Sequence, residues 1–180
     1  DALAENAYAA EAALDYIKSS RPDIPTSPLV VLGFSAGAIA APAVAARLGP
    51  QVDAVVLIGG GADLMAISRT TTQRGAAIKV LCDEQPVDDA LYADIDKAYL
   101  EHTHLDPYTL APLLTHTPVL MVHASDDITV PAATGETLYQ RLGRPDRLNF
   151  AGDHYKLFYF IPGQAGRVAG WLETHAPSVR

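Results

Sequence analysis

The sequence predicts an α/β protein, a mostly parallel sheet with helices on its faces. Three observations predict it. Short apolar runs without alternation recur at residues 29–32, 52–58 and 118–124, the pattern of strands buried on both faces. Helical stretches separate most of these runs, and alternating strands and helices are the mark of a parallel sheet. Polar or Gly-rich loops follow the runs, where open parallel sheets carry their functional residues.

The elements follow in order. Residues 1–20 read as an Ala-rich helix, with Leu3, Leu14 and Ile17 on one side and Glu5, Glu11 and Lys18 on the other. Pro22, Pro25 and Pro28 punctuate a loop over 21–28. Leu29-Val30-Val31-Leu32 is the first strand, expected to be buried on both faces. A helix of small residues spans 36–48, stopped by Gly49-Pro50. Residues 52–58 form a second strand, closed by the turn Gly59-Gly60-Gly61. Residues 62–117 are a longer mixed insert, with a helix at 90–100 and a helical turn in the loop that follows. A third strand (118–124), a loop (125–131), a helix (132–142) and a short fourth strand (146–150) come next. A loop at 152–156 and a last helix over about 164–174 end the chain.

The 180 residues suit one domain carrying one insert. With 13 Lys and Arg against 21 Asp and Glu, the net charge is −8. Such a chain lacks the basic footprint that nucleic acid requires, and an anionic membrane surface is equally unsuited. A hydrophobic content of 49% against 19% charged excludes general disorder. No apolar run approaches the roughly 18 residues of a membrane span. The single cysteine, Cys82, excludes an internal disulfide and a cysteine-rich zinc site, and it reads as a buried, inert thiol. His102 and His104 read as surface-loop residues and His123 as a packed strand histidine, so no metal or cofactor is called for.

The chemistry gathers after three of the strands. Gly33-Phe34-Ser35-Ala36-Gly37 is Gly-x-Ser-x-Gly between an apolar strand and a helix. A tight strand-to-helix turn strains the serine and lifts its oxygen clear of the sheet. The flanking glycines avoid clashes, and the Ala36 N–H at the helix start points where an oxyanion would form. A serine needs a base, and the base an orienting acid, each expected in a later loop. Ser125-Asp126-Asp127-Ile128-Thr129-Val130-Pro131 offers two acids. Gly152-Asp153-His154-Tyr155 offers the base. Loop register favours Asp127 over Asp126, while Asp153 reads as a solvated loop carboxylate. Phe34 and Tyr155 are candidate pocket walls, with packing in the core as the alternative.

In these motifs the chain resembles the α/β-hydrolase superfamily. Members carry Gly-x-x-Asp-x-x-Val-Pro after the corresponding strand; here Asp127 stands four residues before Pro131, and Ala124 replaces the glycine. Members also carry Gly-x-His near the C-terminus, matched by Gly152, Asp153 and His154. The resemblance implies a serine hydrolase acting on carboxylic esters through an acyl-enzyme, with Ser35, His154 and Asp127 as nucleophile, base and acid. Thioesterase and peptidase chemistry use the same residues, and a non-catalytic binding protein on this scaffold is a further alternative. The resemblance also implies that the 62–117 insert acts as a cap or lid. It further implies that strands which precede the nucleophile strand in the family are lacking here, together with a second oxyanion donor. A preceding segment, a second chain or a second copy of this chain is then expected as a partner.

Overall fold

The computed structural model describes residues 2–70, 81–82, 85–86 and 88–176. Helix α1 (Ala2–Ser20) leads into strand β1 (Val30–Phe34) and helix α2 (Ala36–Leu48). Strand β2 (Ala54–Ile58) and helix α3 (Leu64–Thr70) follow, then the short strands β3 (Leu81–Cys82) and β4 (Gln85–Pro86). Helices α4 (Asp89–His102) and α5 (Pro107–Leu110) lead to strand β5 (Val119–Ala124). The chain closes with α6 (Ala132–Arg141), β6 (Asp146–Phe150), α7 (His154–Phe160) and α8 (Ala165–His175).

Four strands form one parallel sheet in the order β1-β2-β5-β6. β3 and β4 pair antiparallel by themselves. Successive residues of a strand point to opposite faces, and β2 uses both. Val55 and Leu57 pack with α2 and α6 through Ala38, Ala41, Ala45 and Leu138. Val56 and Ile58 face the other way, where Leu157 of α7 and Val168, Trp171 and Leu172 of α8 meet them. All five β2 residues are buried, as the unbroken apolar run requires. Each large side chain so removed from water contributes about 1.5–3 kcal/mol.

β1 departs from that expectation. It pairs with β2 alone among the described residues, and Leu32 and Phe34 are 50% and 44% exposed. An apolar run fixes what a strand can bury, but burial also needs a neighbour on each side, and β1 lies at the sheet's edge. Leu32, Phe34 and Ile58 line an open apolar groove of about 340 Å³ against Ile161, Val168 and Leu172.

The stretch expected as a loop over 152–156 is a second departure, because α7 begins at His154. Asp153 caps it, its carboxylate accepting the Lys156 N–H at 2.9 Å. Asp153 is therefore a helix cap, where a solvated loop carboxylate was expected. The insert also holds more structure than expected, since α3 and the β3–β4 pair precede α4 within it. The side chain of Cys82 lies outside the described residues, so the expectation of a buried thiol is not addressed. No helix among the described residues is long and apolar enough to cross a membrane.

Candidate active site

The parallel register brings the carboxyl ends of the strands into one row. Phe34 stands beside Ile58, Ile58 beside Val122, and Ala124 beside Phe150. Backbone hydrogen bonds continue past the strand ends and tie the loops to one another. The Ser35 N–H donates to Ile58 O at 2.9 Å, Ser125 N–H to Phe150 O at 2.9 Å, and Asp126 N–H to Gly152 O at 3.0 Å. The loops bearing the candidate serine, acid and histidine are thereby fixed relative to a common sheet.

Ser35 occupies the turn between β1 and α2 with φ 51° and ψ −116°. That conformation is costly for a non-glycine residue, and the surrounding structure has to enforce it. Part of the enforcement is at Gly33. A Cβ there would stand 2.5 Å from Gly37 O and 2.6 Å from Ala38 Cα, so only glycine lets the helix start so close to the strand. Gly37 differs from the sequence expectation, because a Cβ there would meet nothing within 4 Å. Ala36 opens α2, so its N–H has no partner within the helix.

Three predicted side chains come together. Ser35 Oγ lies 2.9 Å from His154 Nε2, and His154 Nδ1 lies 2.5 Å from Asp127 Oδ2. His154 and Asp127 are both buried, at 4% and 5% exposure. The second carboxylate oxygen of Asp127 accepts the N–H groups of Thr129 and Val130, each at 2.9 Å. Both oxygens are thus satisfied, and the loop's own backbone sets the carboxylate's orientation. Asp126, the alternative acid, is exposed.

The remaining candidates lie around this line. Phe34 is half-exposed on the β1 edge, and Tyr155 is 66% exposed on α7. Neither is a core residue. His102 and His104 are exposed, and His123 packs against Gly135 with burial lowering its pKa. Among the described residues no group of three or more His, Cys, Asp or Glu is placed to hold a metal ion.

Two residues of consequence were not singled out in the sequence. Asp106 is 1% exposed, and its carboxylate accepts four hydrogen bonds from described residues. They come from the backbones of Asp63 and Leu64 at 2.9 and 2.8 Å, from Tyr108 N at 2.7 Å and from the Tyr99 hydroxyl at 2.8 Å. It thereby ties the start of the insert, at Asp63 and Leu64, to its later part around α4 and α5. Its position just before Pro107 is a cap signal, which the sequence does carry. The other is Phe158, whose ring centroid lies 4.9 Å from that of His154. Seen as a loop followed by an unassigned aromatic stretch, residues 154–160 gave no hint that Phe158 stands one turn above the histidine.

No protein-family profile and no curated protein sequence matches the chain. Solved structures do. A Mycobacterium tuberculosis puromycin-hydrolyzing peptidase superposes with a TM-score of 0.61 at 20% identity, over 91% of this chain and 24% of that one. The esterase domain of a Rhodothermus marinus protein gives 0.61 at 20% identity, over 92% and 67%. An alpha/beta hydrolase from a Penicillium species gives 0.62 at 15% identity, over 97% and 73%. The chain spans about a quarter of the length of the peptidase and about two thirds of the esterase domain. At these identities the likeness is one of fold, and the chain has the α/β-hydrolase type of fold over that part of it.

Proposed function

We propose that this chain carries the reaction centre of a serine hydrolase that cleaves carboxylic esters through an acyl-enzyme. The supporting observation is the unbroken line from Ser35 Oγ through His154 to the doubly held carboxylate of Asp127. In this reading Ser35 Oγ attacks the ester carbonyl carbon while its proton passes to His154 Nε2. Asp127 keeps the imidazole in the tautomer with hydrogen on Nδ1 and stabilises the imidazolium. The carbonyl oxygen, now negative, receives the Ala36 N–H. Collapse of the tetrahedral intermediate breaks the bond to the alcohol, which takes the proton from Nε2. Water then repeats the sequence on the acyl-serine, releasing the acid and restoring Ser35. The reaction needs these side chains and water, and no metal or cofactor is assigned to it.

Phe34 and Tyr155 are assigned to the walls around the acyl and alcohol groups. The insert over 62–117, cross-linked internally by Asp106, is assigned to covering the site. The exposed edge of β1 is assigned to pairing with a further strand, from a preceding segment, a second chain or a second copy.

Amide cleavage is a second reading, because peptidases stand beside esterases among the similar structures. Hydrolysis of a short p-nitrophenyl ester and of the matching p-nitroanilide separates the two. Ester turnover that disappears in Ser35→Ala supports the proposal. Faster anilide than ester turnover transfers it to the peptidase reading. Binding of the ester without any turnover identifies a non-catalytic receptor.

A further inference from the structure

The imidazole of His154 makes both of its polar contacts within its own plane, to Ser35 Oγ on one side and Asp127 on the other. Two bonds at opposite ends of a ring hold its position well. They resist rotation about the line joining them poorly, and the attachment through Cβ to α7 leaves room for a tilt that a neighbour packed against the ring limits further. His154 is the first residue of α7, and Phe158 stands one turn later on the same side of the helix. Their ring centroids are 4.9 Å apart with planes at 63°, the edge-to-face arrangement that aromatic rings favour.

Phe158 is itself confined. On one side is Gly59, at the end of β2, with φ +64°. A Cβ on Gly59 would lie 3.3 Å from Cε2 and Cζ of Phe158 and 3.2 Å from Leu157 Cδ2. The strand end is therefore bare where the ring lies against it. On another side is Phe34, the residue before the candidate nucleophile, with its ring centroid 6.3 Å away. The ring of Phe158 is wedged between the sheet, the serine turn and the imidazole. Tyr155 also meets His154 edge-on at 6.2 Å, but it is 66% exposed and has no comparable backing.

We propose that Phe158 is a positioning residue for the proton transfer. Its ring holds the His154 imidazole in the plane shared by Ser35 Oγ and the Asp127 carboxylate. The inference rests on the serine-hydrolase reading. Losing the flat ring lets the imidazole tilt, so that Nε2 leaves the line to Oγ for part of the time. Proton transfer slows, while the serine turn and the Ala36 N–H that receives the oxyanion keep their backbone geometry.

The test compares Phe158→Leu, which keeps apolar bulk and loses the aromatic ring, with Phe160→Leu. Phe160 is on the same helix and packs against Phe150 and Tyr159. Active sites are counted by fluorophosphonate titration, so that unfolded protein does not enter kcat. For Phe158→Leu the expected result is a kcat per site lowered about tenfold or more with KM unchanged, since small misplacements of reacting groups are costly. The far-downfield proton resonance of the His154–Asp127 hydrogen bond should broaden or vanish in that variant, and Phe160→Leu should change neither. Unchanged kcat and an intact resonance in Phe158→Leu overturn the proposal. So does a raised KM with kcat preserved, which makes the ring a substrate wall. Phe158→Met supplies the same readouts if the leucine variant does not fold. Wild-type protein that leaves Ser35 unmodified overturns the hydrolase reading, and the proposal falls with it. Labelling of the wild type with a normal Phe158→Leu overturns the proposal alone.

Discussion

His154 Nδ1 lies 2.5 Å from Asp127 Oδ2, while Asp127 Oδ1 is held by the backbone N–H groups of Thr129 and Val130. The acid is thus aimed by the loop it belongs to, before the histidine reaches it. Asp127→Asn keeps the two backbone bonds but presents an amide N–H to Nδ1, which forces the imidazole into the wrong tautomer. We expect kcat on a p-nitrophenyl ester to fall about 10⁴-fold with little change in thermal stability. Asp126→Asn, at an exposed position, should leave kcat unaltered, because His154 Nδ1 is bonded to Asp127. Both are read by steady-state kinetics.

A pH dependence follows from the loop after β2. Burial and the nearby carboxylates of Asp96 and Asp106 push the Asp63 pKa up to about 6. Oδ1 of Asp96 is also buried with no hydrogen-bonding partner among the described residues. An unfolded aspartate ionises near pH 4, so between about pH 4 and 6 the folded protein holds a proton that the unfolded chain has lost. The contribution of Asp63 to folding stability is therefore highest below that window, declines across it, and stays reduced above about pH 6. Asp63→Asn removes the charge, suits the residue's φ of 72°, and keeps an oxygen for the Ala66 N–H. Thermal melts should show this variant more stable than the parent at pH 7.5 and equal to it at pH 4.

The two glycines of the serine turn should behave oppositely. Gly33→Ala drives a Cβ into the backbone of Gly37 and Ala38, which cannot yield, and we expect a loss of about 3 kcal/mol or more. Gly37→Ala meets open space in the first turn of α2 and should be neutral or stabilising by up to about 1 kcal/mol. Urea denaturation of the two variants measures the difference.

The edge of β1 carries the exposed Leu32 and Phe34 with no strand beside it among the described residues. Such an edge templates pairing between chains. The 180-residue chain in isolation should therefore elute above its monomer mass of 19.1 kDa in size-exclusion chromatography with light scattering. Leu32→Lys should shift it toward the monomer, because a lysine on an edge strand opposes pairing.

What the sequence revealed, and what it hid, divides along physical lines. β2 and β5 were legible because strands buried on both faces need unbroken apolar runs. Ser35, Asp127 and His154 could be singled out as candidates because each follows a strand closely in a recognisable motif. The geometry that joins them is a property of the sheet register, which no local pattern states. β1 carries the same apolar signal as β2, yet half of Leu32 is exposed, because the run says nothing about how many neighbours a strand has. Helix α7 was hidden because His154-Tyr155-Lys156-Leu157-Phe158-Tyr159-Phe160 lacks strong helix formers apart from Leu157 and Lys156. Its one clear signal was the capping position of Asp153. Asp106 was one acid among many in the insert, distinguished only by the proline that follows it.

The most direct measurement is intact-mass spectrometry before and after exposure to a fluorophosphonate, with peptide mapping of the product. The account predicts one adduct per chain, on Ser35, abolished in Ser35→Ala and slowed severely in His154→Ala. A folded protein that takes no adduct, or takes it on another residue, contradicts the assignment of Ser35 as the nucleophile.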